Sequence, residues 1–521
     1  QKMQYLGGAA FVYPLAEYSS LIVEGLPKEG QTLEQVRDLM LGEIEKLKRG
    51  EFSDDLLPSV INNMKLDAYK EMEDNDSRAS KFVDAFINGQ EWSDVVGRLD
   101  RISHITKQQI VDFANRHLLN NYVAVYKRQG VDSTVKKIDK PQITPIPSNR
   151  DKQSAYVAEI ANAKAEPIQP VFVDFKRDIT FGKTKKGLPV QYIKNNTNGL
   201  FALQFTFNFG IEADKRLNTA AGYLDYLGTD KMTADQLKQQ FYKLACTYSV
   251  SASRNKTTIT LSGLDENKVE ALKLMEQFLA NAKADADAWK QFVALEKKSR
   301  EMNKLNQNAN FSALYSYGIY GPYNPYRNKM TAQELDNANP TDMVKLISSL
   351  VNYKHEVAYY GPTDLKQVIA MVDKNHRTAK KLADVPTGRE YEEQLTKENE
   401  ILIAPYQAKN IYMRQYNNNG TQWTPEREPV VAMFNEYFGG GMNTVVFQEL
   451  RESRGLAYNA FAAYVTPSRK GHPEFAMTHI ISQNDKMMDC IRTFNAIVDT
   501  VPQSERAFAL AKQSLMKRIA T

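Results

Sequence analysis

Cysteine is nearly absent: Cys246 and Cys490 are the only two in 521 residues. Two thiols so far apart exclude a disulfide framework and a thiolate metal site. They read as two free, buried thiols, with one long-range disulfide as the alternative. No apolar run is long enough to cross a bilayer as a helix. No basic block with interleaved aromatics occurs, and the net charge of +5 is small against 67 basic and 62 acidic residues. Nucleic acid is therefore not an expected partner. A secretory leader is missing as well. The chain opens at Gln1 in a strand-like stretch and stops inside a helical pattern, so both ends read as cut.

What is present is ordinary globular material, 42% hydrophobic and 25% charged, in a length that predicts two to four domains. Ala9–Tyr13 and Ser19–Val23 read as short strands. Thr32 and Gln35 fit a capping box that opens a helix with apolar residues at Val36, Met40 and Ile44. Helices follow from about Asp54 to Met72 and from Ile105 to His117, then a strand over Tyr122–Lys127. From Gly130 to Val173 the chain carries Pro141, Pro145, Pro147, Pro167 and Pro170 among polar residues, the composition of an extended linker, with a short helix around Ala155–Ala163.

The next segment predicts strands at Val190–Lys194 and Leu203–Phe209 and helices at Thr219–Gly228 and Thr233–Ala245. A hairpin of Tyr248–Ser253 with Thr257–Ser262 follows, then helices at Asn267–Ala282 and Asp285–Leu305. A helix from Pro340 precedes a strand at Val357–Tyr360. The last segment predicts strands at Glu400–Ala404, Gln407–Gln415, Ala457–Val465 and Glu474–Ile481, with helices at Val430–Tyr437 and Asp485–Val501. One order of elements recurs: helix, polar break, long helix, variable middle, helix, strand over 35–126 and again over 267–360, with 485–521 opening a third copy. A period of about 200 residues suits duplicated α+β domains.

The most specific stretch is YFGGGMNTVVFQELRESRGLAY, Tyr437–Tyr458. It reads as a glycine run, a helix from Asn443 to about Ser453, Gly455 as its stop, and a strand. Such a run can hold phosphate on bare N–H groups, but no Gly-Lys-Ser/Thr follows, and a tight turn into a helix is the plainer reading. The stretch closely resembles the C-terminal signature of the pitrilysin/insulinase/presequence-protease family of zinc metallopeptidases. Tyr126–Gly130, Tyr226–Thr229, Gly263–Leu264 and Tyr359–Pro362 resemble further segments of that family, in family order.

The resemblance implies four α+β domains in two halves that close like a clamshell, each a mostly antiparallel sheet with helices on one face. It assigns residues 1–129 to the C-terminal part of a second peptidase-like domain and 130–173 to the Pro-rich linker between halves. Residues 174–384 become a third domain and 385–521 a fourth, truncated at its C-terminus. The family's zinc site is H-x-x-E-H on a helix. None of His104, His117, His355, His376, His472 and His479 stands in such a motif, and the corresponding stretch here, Thr219–Tyr223, has no imidazole or carboxylate where one is needed. Zn2+ is thus expected in the full-length parent and not in this chain, and each histidine reads as a surface or core residue.

The family also implies an Arg and, seven residues later, a Tyr that reach across the chamber to the substrate. Arg451 and Tyr458 match that pair. A Tyr hydroxyl can donate to an oxyanion, and an Arg fork can hold a peptide carbonyl. Read without the family, the two are a helix-end cation and a strand core residue. Arg454 reads as an exposed helix-end charge. Tyr315, Tyr317, Tyr320, Tyr323 and Tyr326 offer either a peptide-binding wall or helix packing with a Pro-Tyr turn.

The expected function is the substrate-binding C-terminal half of a zinc metalloendopeptidase that degrades peptides in an enclosed chamber. The fragment alone is expected to be inactive. Its partners are peptide substrates and the missing N-terminal catalytic half. The alternative is a non-catalytic scaffold or binding subunit of the same fold. Bacterial parents of this type are often exported, which points to the periplasm.

Overall fold

The computed structural model describes residues 7–28, 30–130, 133, 134, 136, 154–164, 166 and 169–520. The chain divides into two compact units: Gln1–Asp54 with Asp84–Val171 and Ala520–Thr521, and Asp55–Val83 with Phe172–Ile519.

In the first unit β1 (Gly7–Pro14) and β2 (Ser19–Leu26) pair antiparallel, Gly8 opposite Gly25 and Phe11 opposite Ile22. The helix Leu33–Lys48 begins at the expected capping box: Gln35 N–H donates to the Thr32 hydroxyl at 3.1 Å, and Thr32 N–H to the Gln35 amide oxygen at 2.9 Å. Val36 is buried against Gly25, where an added Cβ would come within 2.5 Å of Val36 Cγ1. The helix Lys107–His117 starts from a second capping box, Thr106 with Gln109. Tyr122–Lys127, read as a strand, is not one. Val123 and Val125 are exposed, and no strand pairs with them among the described residues. High β-propensity makes such a segment extended, but a ladder needs a neighbouring strand. Of the Pro-rich stretch the short helix is present, Ala155–Asn162. Residues 131, 132, 135, 137–153, 165, 167 and 168 of the linker reading lie outside the described residues.

The second unit holds two sheets. The first comprises β3 (Thr180–Lys183), β4 (Pro189–Lys194), β5 (Leu200–Phe207), β6 (Cys246–Ala252), β7 (Thr257–Leu264) and β8 (Glu356–Gly361). Their order is β3-β4-β8-β5-β7-β6, with β4–β8 the one parallel ladder. Alternation along β5 sends Leu203, Phe205 and Phe207 into a core where none is exposed. The helix Lys268–Asn281 meets them with Ala271, Leu272, Met275 and Phe278, spaced three and four apart on one face. The helices Leu217–Tyr223 and Pro340–Ser348 add Leu217, Tyr223, Met343 and Ile347. The helix Leu56–Glu73 also belongs to this unit, its Leu66 packed with Leu200, Ala245 and Leu264.

The second sheet is antiparallel, ordered β10 (Asn459–Val465), β11 (Phe475–Gln483), β9 (Asn410–Asn417). Its own core gathers Phe438, Val446, Leu450, Ala460, Ile480, Cys490 and Phe494. Glu400–Ala404, read as a strand, is irregular. Ile401 and Ile403 alternate correctly but are 84% and 79% exposed, so nothing rewards the alternation with burial. Both cysteines are free and buried. The helix pairs Lys268–Asn281 with Ala286–Lys304, and Met487–Asp499 with Glu505–Ala520, each start 18 residues apart, from 268 to 286 and from 487 to 505. The class is α+β, sheets packed against helices, as the recurring element order predicts.

Candidate functional site

The helix Glu428–Phe438 ends where Gly439 N–H donates to the Asn435 carbonyl at 3.1 Å. A Cβ on Gly439 would lie 1.9 Å from the Ala462 carbonyl oxygen, and Ala462 N–H donates back to the Gly439 carbonyl at 3.2 Å. The glycine run is thus where a helix end touches β10, an approach that a side chain would block. After it, the buried Thr444 donates its hydroxyl to the Gly441 carbonyl at 2.6 Å. One α turn, Val445–Phe447, then widens into a π turn, Gln448–Glu452. Ser453 N–H reaches the Gln448 carbonyl at 2.8 Å, five residues back. The helix expected from Asn443 to Ser453 is therefore shorter, and its last turn is wide. Val446 and Leu450 anchor it in the core with no exposure. Phe447 and Arg451 stand one position further round.

Gly455, at φ +56°, reverses the chain. Its N–H donates to the Arg451 carbonyl at 3.0 Å, and Leu456 N–H to the Leu450 carbonyl at 2.9 Å. The returning backbone brings Tyr458 beside the turn it has just left. The Arg451 Cζ lies 5.8 Å from the Tyr458 ring centre and 4.9 Å from that of Phe447. Tyr458 is 75% exposed. The Arg451 side chain is 44% exposed, and its nearest carboxylate oxygen, Glu452 Oε1, is 3.9 Å away. Among the described residues, no hydrogen bond engages the Arg451 guanidinium or the Tyr458 hydroxyl. Five guanidinium N–H donors and one phenolic donor thus share an open surface, suited to backbone carbonyls of an extended peptide. Arg454 is tied instead to Glu449 at 3.4 Å.

Of the tyrosine cluster, four members are engaged within the protein, Tyr326 by Lys329 at 4.7 Å from its ring centre. The Tyr315 ring lies 4.3 Å from the Arg414 guanidinium, Arg254 stacks on Tyr320 at 5.4 Å, and the Tyr323 hydroxyl donates to the Arg389 carbonyl at 2.9 Å. The described residues do not fit zinc. Thr219–Tyr223 falls in the helix Leu217–Tyr223, where the buried Tyr223 donates to the Asp285 carbonyl at 2.7 Å beside Trp289. His355 and His376 are buried with Nε2 atoms 2.9 Å apart. Their Nδ1 atoms face the Tyr353 carbonyl at 2.7 Å and Glu276 Oε1 at 2.6 Å, so every ring nitrogen is committed within the protein. No group of three His, Cys, Asp or Glu side chains among the described residues is placed to hold a metal. His472 precedes β11, so it does not share a strand with His479; it sits between Glu390 and Glu393 at 2.9 and 2.7 Å.

Residues 354–515 match the family model described as the peptidase M16 inactive domain. A search of curated proteins returned no match. Among solved structures, a peptidase M16 inactive domain from Pseudomonas fluorescens shares 16% identity at a TM-score of 0.51, over 65% of this chain and 83% of that one. The periplasmic protease PqqL from Escherichia coli shares 12% at 0.54, over 99% of this chain and 60% of its own length. A variant of the ferredoxin protease FusC, solved with Arabidopsis ferredoxin, shares 10% at 0.52, over 99% of this chain and 59% of its own. At such identities the structural likeness is one of fold. Taken with the model match over residues 354–515, it bears out the resemblance recognised from the motif Tyr437–Tyr458.

Proposed function

We propose that this chain is the substrate-holding half of a metalloendopeptidase whose zinc is held by residues outside it, and that Arg451 and Tyr458 contact the bound peptide. One observation carries the reading: the two side chains stand together on an open surface with their donors uncommitted. In this role the Arg451 fork holds a backbone carbonyl of the extended substrate, and the neutral Tyr458 hydroxyl donates to the oxyanion that forms at the cleaved carbonyl. Two proteins sharing the fold over nearly the whole of this chain are described as proteases, one of them solved with a protein bound. That supports peptides or small proteins as the substrate class. The segments 1–129, 130–173, 174–384 and 385–521 are proposed to serve as the back of one domain, a linker, and two further domains lining a chamber, with the periplasm as compartment.

The test is Tyr458→Phe in the full-length protein. A drop in kcat of about ten-fold or more is expected, on the scale of one oxyanion donor, with metal content unchanged. Kinetics equal to wild type would take Tyr458 out of the mechanism. Turnover by residues 1–521 alone, abolished by a chelator, would contradict the placement of the metal.

A further inference from the structure

We propose that Phe447 is a positioning residue for Arg451, a role that rests on the peptide-contact reading of Arg451. Phe447 and Arg451 are four residues apart across the π turn, and their guanidinium-to-ring distance, 4.9 Å, is shorter than the 5.8 Å to Tyr458. Phe447 is half-buried and follows Val446, which has no exposure. Tyr458, by contrast, is 75% exposed.

The guanidinium therefore has one half-buried aromatic neighbour and one exposed one. Attraction to a ring acts through the π-faces and consumes none of the five N–H donors. A carboxylate partner would do the opposite, occupying the fork that a peptide carbonyl needs. Here the only carboxylate oxygen within 4.0 Å of the guanidinium among the described residues is that of Glu452, at 3.9 Å. The π turn matters to this arrangement. Its one extra residue delays the chain reversal, so that Leu456 and Ala457 N–H both reach the Leu450 carbonyl, at 2.9 and 3.2 Å, six and seven residues on. The returning chain brings the Tyr458 ring centre to 5.8 Å from the Arg451 guanidinium. Single-turn π insertions are found disproportionately at functional sites.

Phe447 touches no substrate in this scheme; it cuts the rotamers that Arg451 must give up on binding. The gain is equal for ground and transition states, so it belongs in KM and not in kcat. The experiment is steady-state cleavage of an internally quenched peptide by the full-length protein, with variants Phe447→Leu, Phe447→Tyr and Arg451→Ala. Phe447→Leu keeps the apolar bulk and loses the π-face; KM should rise about two- to five-fold with kcat unchanged. Phe447→Tyr keeps the ring and should restore KM. In the Arg451→Ala background, Phe447→Leu should add nothing further.

A merely structural Phe447 would lower the active fraction, and so kcat, with KM unchanged; that result overturns the proposal. A KM raised by Arg451→Ala but untouched by Phe447→Leu overturns it while leaving the site reading intact. No effect of Arg451→Ala, or no turnover by the wild-type protein, overturns the site reading and this proposal with it.

Discussion

Three buried side chains, Glu276, His376 and His355, pose a counting problem in protons. The Tyr353 carbonyl only accepts, so His355 Nδ1 must carry hydrogen. One proton must lie between the two Nε2 atoms, 2.9 Å apart, and one between His376 Nδ1 and Glu276 Oε1. Three protons over two imidazoles and one carboxylate leave the trio neutral overall. Burial, with Phe205 and Phe207 against the ring, pushes His355 down to about 4, so His355 is not the cation. Either a cationic His376 faces an anionic Glu276, or the carboxyl is protonated. Glu276→Leu removes the carboxylate and puts no donor or acceptor in its place. The buried His376 Nδ1 is then left without a partner. A loss of about 1–3 kcal/mol is expected by urea unfolding at neutral pH. An unchanged midpoint would show that the trio is not bonded as described. The sequence does not reveal this group, because its members stand 21 and 100 residues apart on different elements. The Arg451–Tyr458 pair differs: seven residues of local chain carry it, so a motif can hold it whole.

At the scale of elements, the glycine run separates into positions with different tasks. A Cβ at Gly439 would strike the Ala462 carbonyl at 1.9 Å, backbone against backbone, whereas one at Gly441 meets nothing within 4 Å. Gly439→Ala is expected to destabilise by about 1–3 kcal/mol, since neither the helix end nor β10 can yield without losing the Ala462 to Gly439 hydrogen bond. Gly441→Ala should be neutral or stabilise by a few tenths of a kcal/mol, roughly, through the unfolded chain. Thermal unfolding of both variants decides it, and equal midpoints would contradict the close approach. The elements legible in the sequence are those with local signatures. Thr32 with Gln35 marks a helix start, and the alternating Leu203, Phe205 and Phe207 mark a strand. The helices Gln307–Tyr320 and Leu365–Asn375 were not foreseen, and Tyr122–Lys127 and Glu400–Ala404 were over-read. Aromatic crowding masks the helical period in Gln307–Tyr320, whereas Leu365–Asn375 has no aromatic residue and does carry the spacing, at Val368, Met371 and Val372. In the over-read segments propensity is present, but the neighbouring strand or buried face that would use it is not.

For the molecule as a whole, histidines of opposite tendency set the pH range of stability. Burial holds His355 and His479 at about 4, below the ordinary 6.5. Their contribution is full above about 6.5 and is lost as pH falls toward 4, because the unfolded chain takes up protons that the folded one refuses. His472 runs the other way. Burial opposes its charge, but bonds to Glu390 and Glu393 outweigh burial and raise it. Its contribution is full below about 6.5 and is lost as pH rises through the raised value. His472 also sits in a network that joins the two sheets of the second unit. Glu390 is 3.4 Å from Arg469, and Arg469 donates at 2.7 Å to the buried Glu212, which Arg254 also reaches at 3.1 Å. Losing the His472 charge leaves Glu390 and Glu393 facing one another and loosens the loop before β11. The thermal midpoint of the chain should therefore pass through a maximum near about pH 6.5, falling on both sides. His472→Gln should flatten the alkaline limb and leave the acid limb in place. A variant whose midpoint still falls as steeply above neutral pH would show that another group governs that side, and would detach the network from the pH response.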